Sequence, residues 1–160
     1  GAEMLVFGAG GAARAVVYAL LDQYTPSCLT IVARRPEQAD ALAEAMTPFD
    51  TTNALQTTTF ADAATAVRTS RLLVNATPLG MAPTVDATPW PASQDLSADH
   101  IAYDLVYNPR TTRFLHAADA RGATTIGGLG MLIGQAAVAY TQWTDQPFPY
   151  DAVDDVFSGS

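Results

Sequence analysis

The feature that most constrains this chain is a regular alternation of short apolar runs with helical patterns along its length. The predicted strands are residues 4–7, 28–33, 55–59, 71–77, 100–107 and 123–128. The predicted helices are residues 11–24, 36–46, 61–68, 112–122 and 129–143. Strands joined through helices lie parallel in one sheet, and right-handed crossovers wrap it on both sides. We therefore predict an α/β fold: a doubly wound parallel sheet, Rossmann-like, of about six strands, with helices on both faces.

Composition limits the function classes open to the chain. Its 160 residues, 49% apolar, fit one globular domain over 1–160. The formal charge of −8 argues against a nucleic-acid partner, since phosphate binding needs a basic surface. No apolar run approaches the roughly 20 residues of a membrane span. With Cys28 as the single cysteine and no pattern typical of a metal site, we expect a cytoplasmic protein without a metal ion.

A glycine-rich turn joins the first predicted strand to the first helix. "GAGGAA" (8–13) fits G-x-G-x-x-A, with Gly8 for the tight turn and Gly10 for close approach of a pyrophosphate. Small Ala13 lets the helix pack closely on the strand, while free N–H groups and the helix dipole attract an anion. A glycine turn alone can serve geometry only, but its place between strand and helix favours dinucleotide binding.

Two arginines after the second strand indicate which dinucleotide. At this point an acid would bind the ribose 2′-hydroxyl of NAD, whereas an arginine accommodates the 2′-phosphate of NADP. The chain has Arg34 and Arg35 here and no acid before Glu37. Two solvated surface arginines are the alternative, but guanidinium groups pair well with phosphate, and we predict NADP.

Three further motifs make the pattern more specific. They are "VNATPLGM" (74–81), "YDLVYNP" (103–109) and "GGLGMLIGQAA" (127–137). Together with "GAGGAARA" they resemble the C-terminal, NADP-binding domain of the shikimate dehydrogenase family, which includes quinate-using relatives. That family reduces 3-dehydroshikimate to shikimate in the chorismate pathway to aromatic amino acids.

The resemblance implies roles for individual residues. The residues implied to hold the cofactor phosphates are Gly8, Gly10, Gly11, Ala12 and Arg34, with Arg35 as a second cation. Those implied to lie along the cofactor or near the nicotinamide are Asn75, Ala76, Thr77, Leu105, Gly128 and Met131. Those implied to face the substrate are Tyr107 and Gln135. Where the family often has Asn-Arg-Thr, this chain has Ala-Arg-Arg, and Gln38 replaces a further basic residue, which puts the strength of the NADP preference in question.

Simpler interpretations stand beside these roles. Leu105 and Met131 could belong to the core, and Tyr107 could pack on a turn. Gln135 is harder to set aside, because a buried amide needs partners. Asp104 is expected to brace its loop or a neighbouring backbone group, and both histidines are expected to be structural or exposed.

The sequence contains no lysine, since all eight basic residues are arginine. Family members transfer the proton with a Lys–Asp pair from an N-terminal substrate domain, so we predict no catalytic residue here and no activity for this chain alone. We expect the natural protein to continue before Gly1 with that domain, which would bind shikimate or 3-dehydroshikimate, and the resemblance allows a homodimer. The alternatives are a quinate/shikimate dehydrogenase using NAD or NADP, and a stand-alone NADP-binding regulatory module.

Overall fold

A computed structural model describes residues 1–153 and contains a six-stranded, all-parallel sheet in the order β3-β2-β1-β4-β5-β6. The strands are β1 (Glu3–Phe7), β2 (Cys28–Ala33), β3 (Leu55–Thr59), β4 (Leu72–Asn75), β5 (Ile101–Asp104) and β6 (Thr124–Ile126). The helices are α1 (Gly11–Gln23), α2 (Pro36–Met46), α3 (Ala64–Thr69), α4 (Arg113–Asp119) and α5 (Leu129–Thr144). The chain order reverses between β1 and β4, and the predicted doubly wound fold is confirmed.

Two apolar layers cover the sheet, one on each face, as the alternation of side chains along a strand requires. On β1, Val6 joins the layer beneath α1 and α2, whereas Leu5 and Phe7 join the layer beneath α3 and α4. Phe7 is fully buried and contacts three aromatic rings at centroid distances of 6.0 to 6.1 Å. The continuous apolar runs of the central strands are therefore explained by burial on both faces.

The predicted strands at 71–77 and 100–107 extend too far at their carboxyl ends. The observed strands end at Asn75 and Asp104, where each side chain accepts a hydrogen bond from the backbone N–H two residues later. Such side-chain turns compete with the β ladder and end the strand. The helix predicted at 112–122 begins at Arg113, because Thr112 is its N-cap and accepts from Leu115 N at 3.3 Å.

The chain forms two compact units, residues 1–128 and residues 129 onward. The first holds the whole sheet, and the second holds α5, after which Phe148 makes edge contacts with Tyr140 and Tyr150. A single domain over 1–160 stays a prediction. Within residues 1–153, no helix combines the length and hydropathy needed to cross a membrane.

Candidate functional site

The carboxyl edge of the sheet, where β1 and β4 separate, is formed around Gly8. Its φ of +113° is a backbone angle that residues other than glycine rarely adopt. Its N–H donates to Val32 O at 2.7 Å, and a Cβ added to it would lie 3.0 Å from Ala76 O. Gly8 is therefore required by the fold itself. It brings the turn after β1 against the segment after β4, at the crevice where ligands bind in sheets of this order.

The turn itself is open. A Cβ added at Gly10 or Gly11 would have no neighbour within 4 Å. Gly10 is the N-cap of α1 without a side-chain cap, and the first N–H groups of a helix have no partner within the helix. Ala13 is fully buried in the layer beneath α1, as its predicted packing role requires. The geometry supplies free backbone donors at the positive end of a helix, which suits an anion such as a pyrophosphate.

Arg34 and Arg35 follow β2, the neighbour of β1. The register pairs Phe7 with Val32, so the arginines lie just beyond the level of Gly8 on the adjacent strand. Both are exposed, and within residues 1–153 neither side chain has a hydrogen bond or ion pair. The α2 helix begins beside them with Pro36, which has no N–H to offer. The two exposed guanidinium groups are thus the cations available to a phosphate here.

The structure places the Asn75 side chain differently from the cofactor contact that the resemblance implies. It is fully buried; its Nδ2 donates to Leu79 O at 3.1 Å and to Asp104 Oδ1 at 2.9 Å. Its Oδ1 accepts from the N–H and hydroxyl of Thr77, at 3.0 and 2.6 Å. With every polar atom occupied and no accessible surface, this side chain shapes the segment after β4 rather than facing a ligand. Ala76 and Thr77 are half-buried and form the surface of that segment.

Asp104 braces the neighbouring loops, as expected from the sequence. Its Oδ1 accepts from Val106 N at 2.9 Å as well as from Asn75, and its Oδ2 accepts from the Thr112 hydroxyl at 2.6 Å. Burial raises the pKa of the Asp104 carboxyl above its ordinary value, although these hydrogen bonds act in the opposite direction. Sequence reasoning missed Thr112; a threonine just before a helix was the available signal.

The segment after β5 carries Leu105 and Tyr107. Leu105 is half-buried and its N–H donates to Asn75 O at 3.0 Å, whereas Tyr107 is 45% exposed and is not a core residue. A Cβ added at Gly128 would lie 2.2 Å from Leu105 O, so the fold needs a glycine there for close backbone packing. That requirement is independent of any contact with a nicotinamide.

Met131 and Gln135 lie on α5 in the second unit. Gln135 is exposed, so the prediction that its amide is buried and needs partners is wrong. Met131 is half-buried. Their assignment to the nicotinamide and the substrate stays a prediction.

The two histidines are consistent with structural or exposed positions. His100 is 2% exposed and its Nδ1 accepts from Ser97 N at 2.9 Å, while His116 is exposed on α4. Within residues 1–153, no group of three or more His, Cys, Asp or Glu side chains is placed to hold a metal ion.

Comparison with known proteins gives concordant results. A family model described as the Shikimate 5'-dehydrogenase C-terminal domain matches residues 128–156. The shikimate dehydrogenase (NADP(+)) of Salinibacter ruber is 62% identical over 156 residues, which are 97% of this chain and 55% of that protein. Quinate dehydrogenase from Corynebacterium glutamicum, in complex with NAD, has a TM-score of 0.87 at 29% identity, covering 98% of this chain and 55% of the other.

Shikimate 5-dehydrogenase from Thermus thermophilus, in complex with NADP(H) and shikimate, has a TM-score of 0.75 at 38% identity, covering 93% of this chain and 52% of the other. The chain thus spans about half the length of the relatives it matches.

Proposed function

We propose that this chain, which belongs to the shikimate dehydrogenase family as its C-terminal domain, binds NADP at the carboxyl edge of its sheet. The observation that carries the proposal is the pair of exposed, unpartnered arginines after β2, level with an open glycine turn. Gly10 and Gly11 leave room for a pyrophosphate, and α1 supplies free N–H donors. Arg34, assisted by Arg35, would pair with the 2′-phosphate that distinguishes NADP from NAD.

The activity we propose for the whole protein is the reversible, NADP-dependent reduction of 3-dehydroshikimate to shikimate. Its support is the 62% identity to the NADP-dependent enzyme of Salinibacter ruber and the similarity to the Thermus thermophilus enzyme in complex with NADP(H) and shikimate. The bound cofactor would supply the hydride that adds to the carbonyl carbon. The single cysteine, which cannot form an internal disulfide, fits our proposal of a cytoplasmic setting.

Residues of this chain would bind and orient the reactants. Ala76 and Thr77 form a surface along the crevice next to Gly8, in a position to line the cofactor. Leu105, Gly128 and Met131 would lie near the nicotinamide. The hydroxyl of Tyr107, on a side chain open to solvent, and the exposed amide of Gln135 would hydrogen-bond the hydroxylated substrate ring.

The proton for the carbonyl oxygen must come from a donor in hydrogen-bond reach of that atom. The sequence has no lysine, and His100 is buried and engaged through its Nδ1. Asp104 is buried with all its hydrogen bonds made inside the loops. We place the donor, a Lys–Asp pair, in an N-terminal substrate domain, so the chain by itself binds the cofactor without turnover.

A second candidate is a quinate/shikimate dehydrogenase that uses NAD as well as NADP. The observation in its favour is the TM-score of 0.87 to a quinate dehydrogenase in complex with NAD. The two candidates differ in cofactor discrimination, because only the first makes the arginines decisive.

Calorimetric titration of the chain with NADP⁺ and NAD⁺, beside turnover of the full-length protein with shikimate or quinate, tests these proposals. We expect NADP⁺ to bind at least about tenfold more tightly, the difference of one charge-assisted contact. Full-length protein should oxidise shikimate, while the 160-residue chain should be inactive. Equal affinities would favour the second candidate, and turnover by the chain alone would contradict the placement of the proton donor.

A further inference from the structure

Three polar side chains form a buried network beneath the carboxyl edge of β4 and β5. Asn75 ends β4, Asp104 ends β5, and Thr112 caps α4. None of the three is more than 1% exposed. Because no side chain of the network reaches the surface, the network cannot contact a ligand directly.

The donors and acceptors of the network match in one arrangement. Thr112 Oγ1 accepts from Leu115 N, so its single hydrogen is available to Asp104 Oδ2 at 2.6 Å. Asp104 Oδ1 accepts from Val106 N and from Asn75 Nδ2, both at 2.9 Å. All three donors are neutral, and together they satisfy an ionised carboxylate that burial would otherwise disfavour.

The network joins two segments with different proposed tasks. Through Asn75 the network holds residues 76–79, because the Asn75 side chain accepts a hydrogen bond from Thr77 N and donates one to Leu79 O. Through its own bond to Val106 N, Asp104 holds residues 105–107, which carry Leu105 and Tyr107. The first segment borders the cofactor crevice at Gly8, and the second presents an exposed tyrosine.

We propose that Asp104 is a positioning residue that fixes residues 76–79 and residues 105–107 relative to each other, so that cofactor and substrate meet in register. This inference rests on the proposed function of the two segments. A carboxylate suits the task because each oxygen accepts from a different element, whereas a neutral side chain of the same shape would reverse one of the contacts. Displacements of about 1 Å between reacting groups lower rates by as much as about 100-fold, so this tie bears directly on turnover.

The test compares Asp104→Ala and Asp104→Asn in the full-length protein. Asp104→Ala removes the three hydrogen bonds that the carboxylate accepts, and we expect kcat to fall on the order of 10- to 100-fold. The Kd of NADP⁺ should change much less, because the glycine turn and the arginines lie outside the network. Amide hydrogen exchange should accelerate at Val106 and in residues 76–79, a readout that needs no turnover.

Asp104→Asn keeps the shape and carries the test if the alanine variant does not fold. Its carboxamide oxygen can still accept from Val106 N and Asn75, but its amino group faces Thr112 and leaves that hydroxyl hydrogen without its acceptor. We expect a smaller loss of kcat than in Asp104→Ala, in the same direction.

A second buried carboxylate provides the control. Asp95 is 9% exposed and accepts from Trp90 Nε1 at 3.1 Å and Arg68 Nη1 at 2.9 Å, with no hydrogen bond to either segment. Asp95→Ala should lower the melting temperature while kcat and exchange in the two segments stay at wild-type values.

Asp104 variants that behave like Asp95→Ala would overturn the proposal and leave a stability role only. Wild-type protein that does not turn over shikimate with NADP⁺ would instead refute the proposed function. The exchange of residues 76–79 and 105–107 would then decide the positioning role without turnover.

Discussion

Strands β1–β3 and strands β4–β6 end at the same edge of the sheet, yet the polar groups beyond them are placed very differently. After β1 and β2, the glycine turn is open and Arg34 and Arg35 point to solvent without partners in residues 1–153. After β4 and β5, Asn75 and Asp104 are fully buried and bonded to the protein's own loops. The polar groups of the first half are thus open to solvent, while those of the second half fix backbone segments in place.

The largest effect should come from filling a glycine of the second half. In Gly128→Ala the new Cβ would meet Leu105 O at 2.2 Å and Val106 O at 2.8 Å, both of them backbone atoms that cannot rotate away. We expect the free energy of unfolding to fall by about 3 kcal/mol, measured by urea denaturation. Gly130→Ala, which meets nothing within 4 Å, is the control and should not destabilise the protein. Equal stability of the two variants would contradict the close packing.

The next effect concerns the first half and should appear only in ligand binding. Arg34→Ala should weaken NADP⁺ binding by about 10- to 100-fold, the loss of a charge-assisted phosphate contact, and leave NAD⁺ binding unchanged. Calorimetric titration with both dinucleotides measures the ratio. Arg121→Ala removes the same charge at an exposed position after α4 and should alter neither affinity. An unchanged ratio in Arg34→Ala would assign the 2′-phosphate to another group.

Gly10→Ala sharpens the contrast with Gly128. Gly10 has an ordinary φ of −85° and open space at its Cβ position, so stability should change by less than about 1 kcal/mol. The added methyl group would occupy the space of the pyrophosphate, and NADP⁺ and NAD⁺ affinities should fall together, by about tenfold. Thermal melting with and without cofactor separates the two effects. Unimpaired binding would mean that the phosphates do not approach this glycine.

The smallest expected effect is the pH dependence of stability that two carboxylates, Asp50 and Asp104, produce. At Asp50, before β3, partial burial would raise the pKa, but hydrogen bonds from Ala54 N, Leu55 N and Thr52 outweigh it and lower the pKa from 3.8. Its ionised form therefore stabilises the fold above pH 3.8, and that contribution is lost as the pH falls through the lowered value.

Asp50→Asn should cost about 1 kcal/mol at neutral pH and progressively less in acid, as measured by urea denaturation across pH. The pH dependence of stability has the opposite sign at Asp104, because burial raises the pKa of that carboxyl. Ionisation of Asp104 therefore weakens the fold as the pH rises through the pKa of the folded state. A stability difference for Asp50→Asn that does not change with pH would contradict this account.

Much of the fold could be predicted, because apolar runs and helical spacing directly reflect burial. Residues 28–33 and 55–59 and helix 36–46 match the observed elements. The ends of β4 and β5 could not be predicted from hydropathy, since the apolar runs continue through Leu105 and Val106 while side-chain bonds to the backbone end the strands.

The candidate site, like the fold, could be predicted only where local sequence determines the structure. The glycine motif and the arginines indicated an anion-binding site, because the chemistry of such a site depends on residues that are neighbours in the sequence. Asn75 was assigned to the ligand because the sequence cannot show that its amide is fully occupied by Thr77, Leu79 O and Asp104, the last of these 29 residues away. Gln135 was taken as buried because its neighbours on α5 are apolar, although the side chain is exposed.

The two outer strands have a consequence for handling this chain as an isolated piece. β6 has only three residues, and β3 reads Leu-Gln-Thr-Thr-Thr, so neither offers a long apolar edge for strands of other copies. Edge-to-edge aggregation through the sheet is therefore disfavoured. Self-association at high concentration should begin on α5 instead, where Val138 is 60% and Trp143 84% exposed.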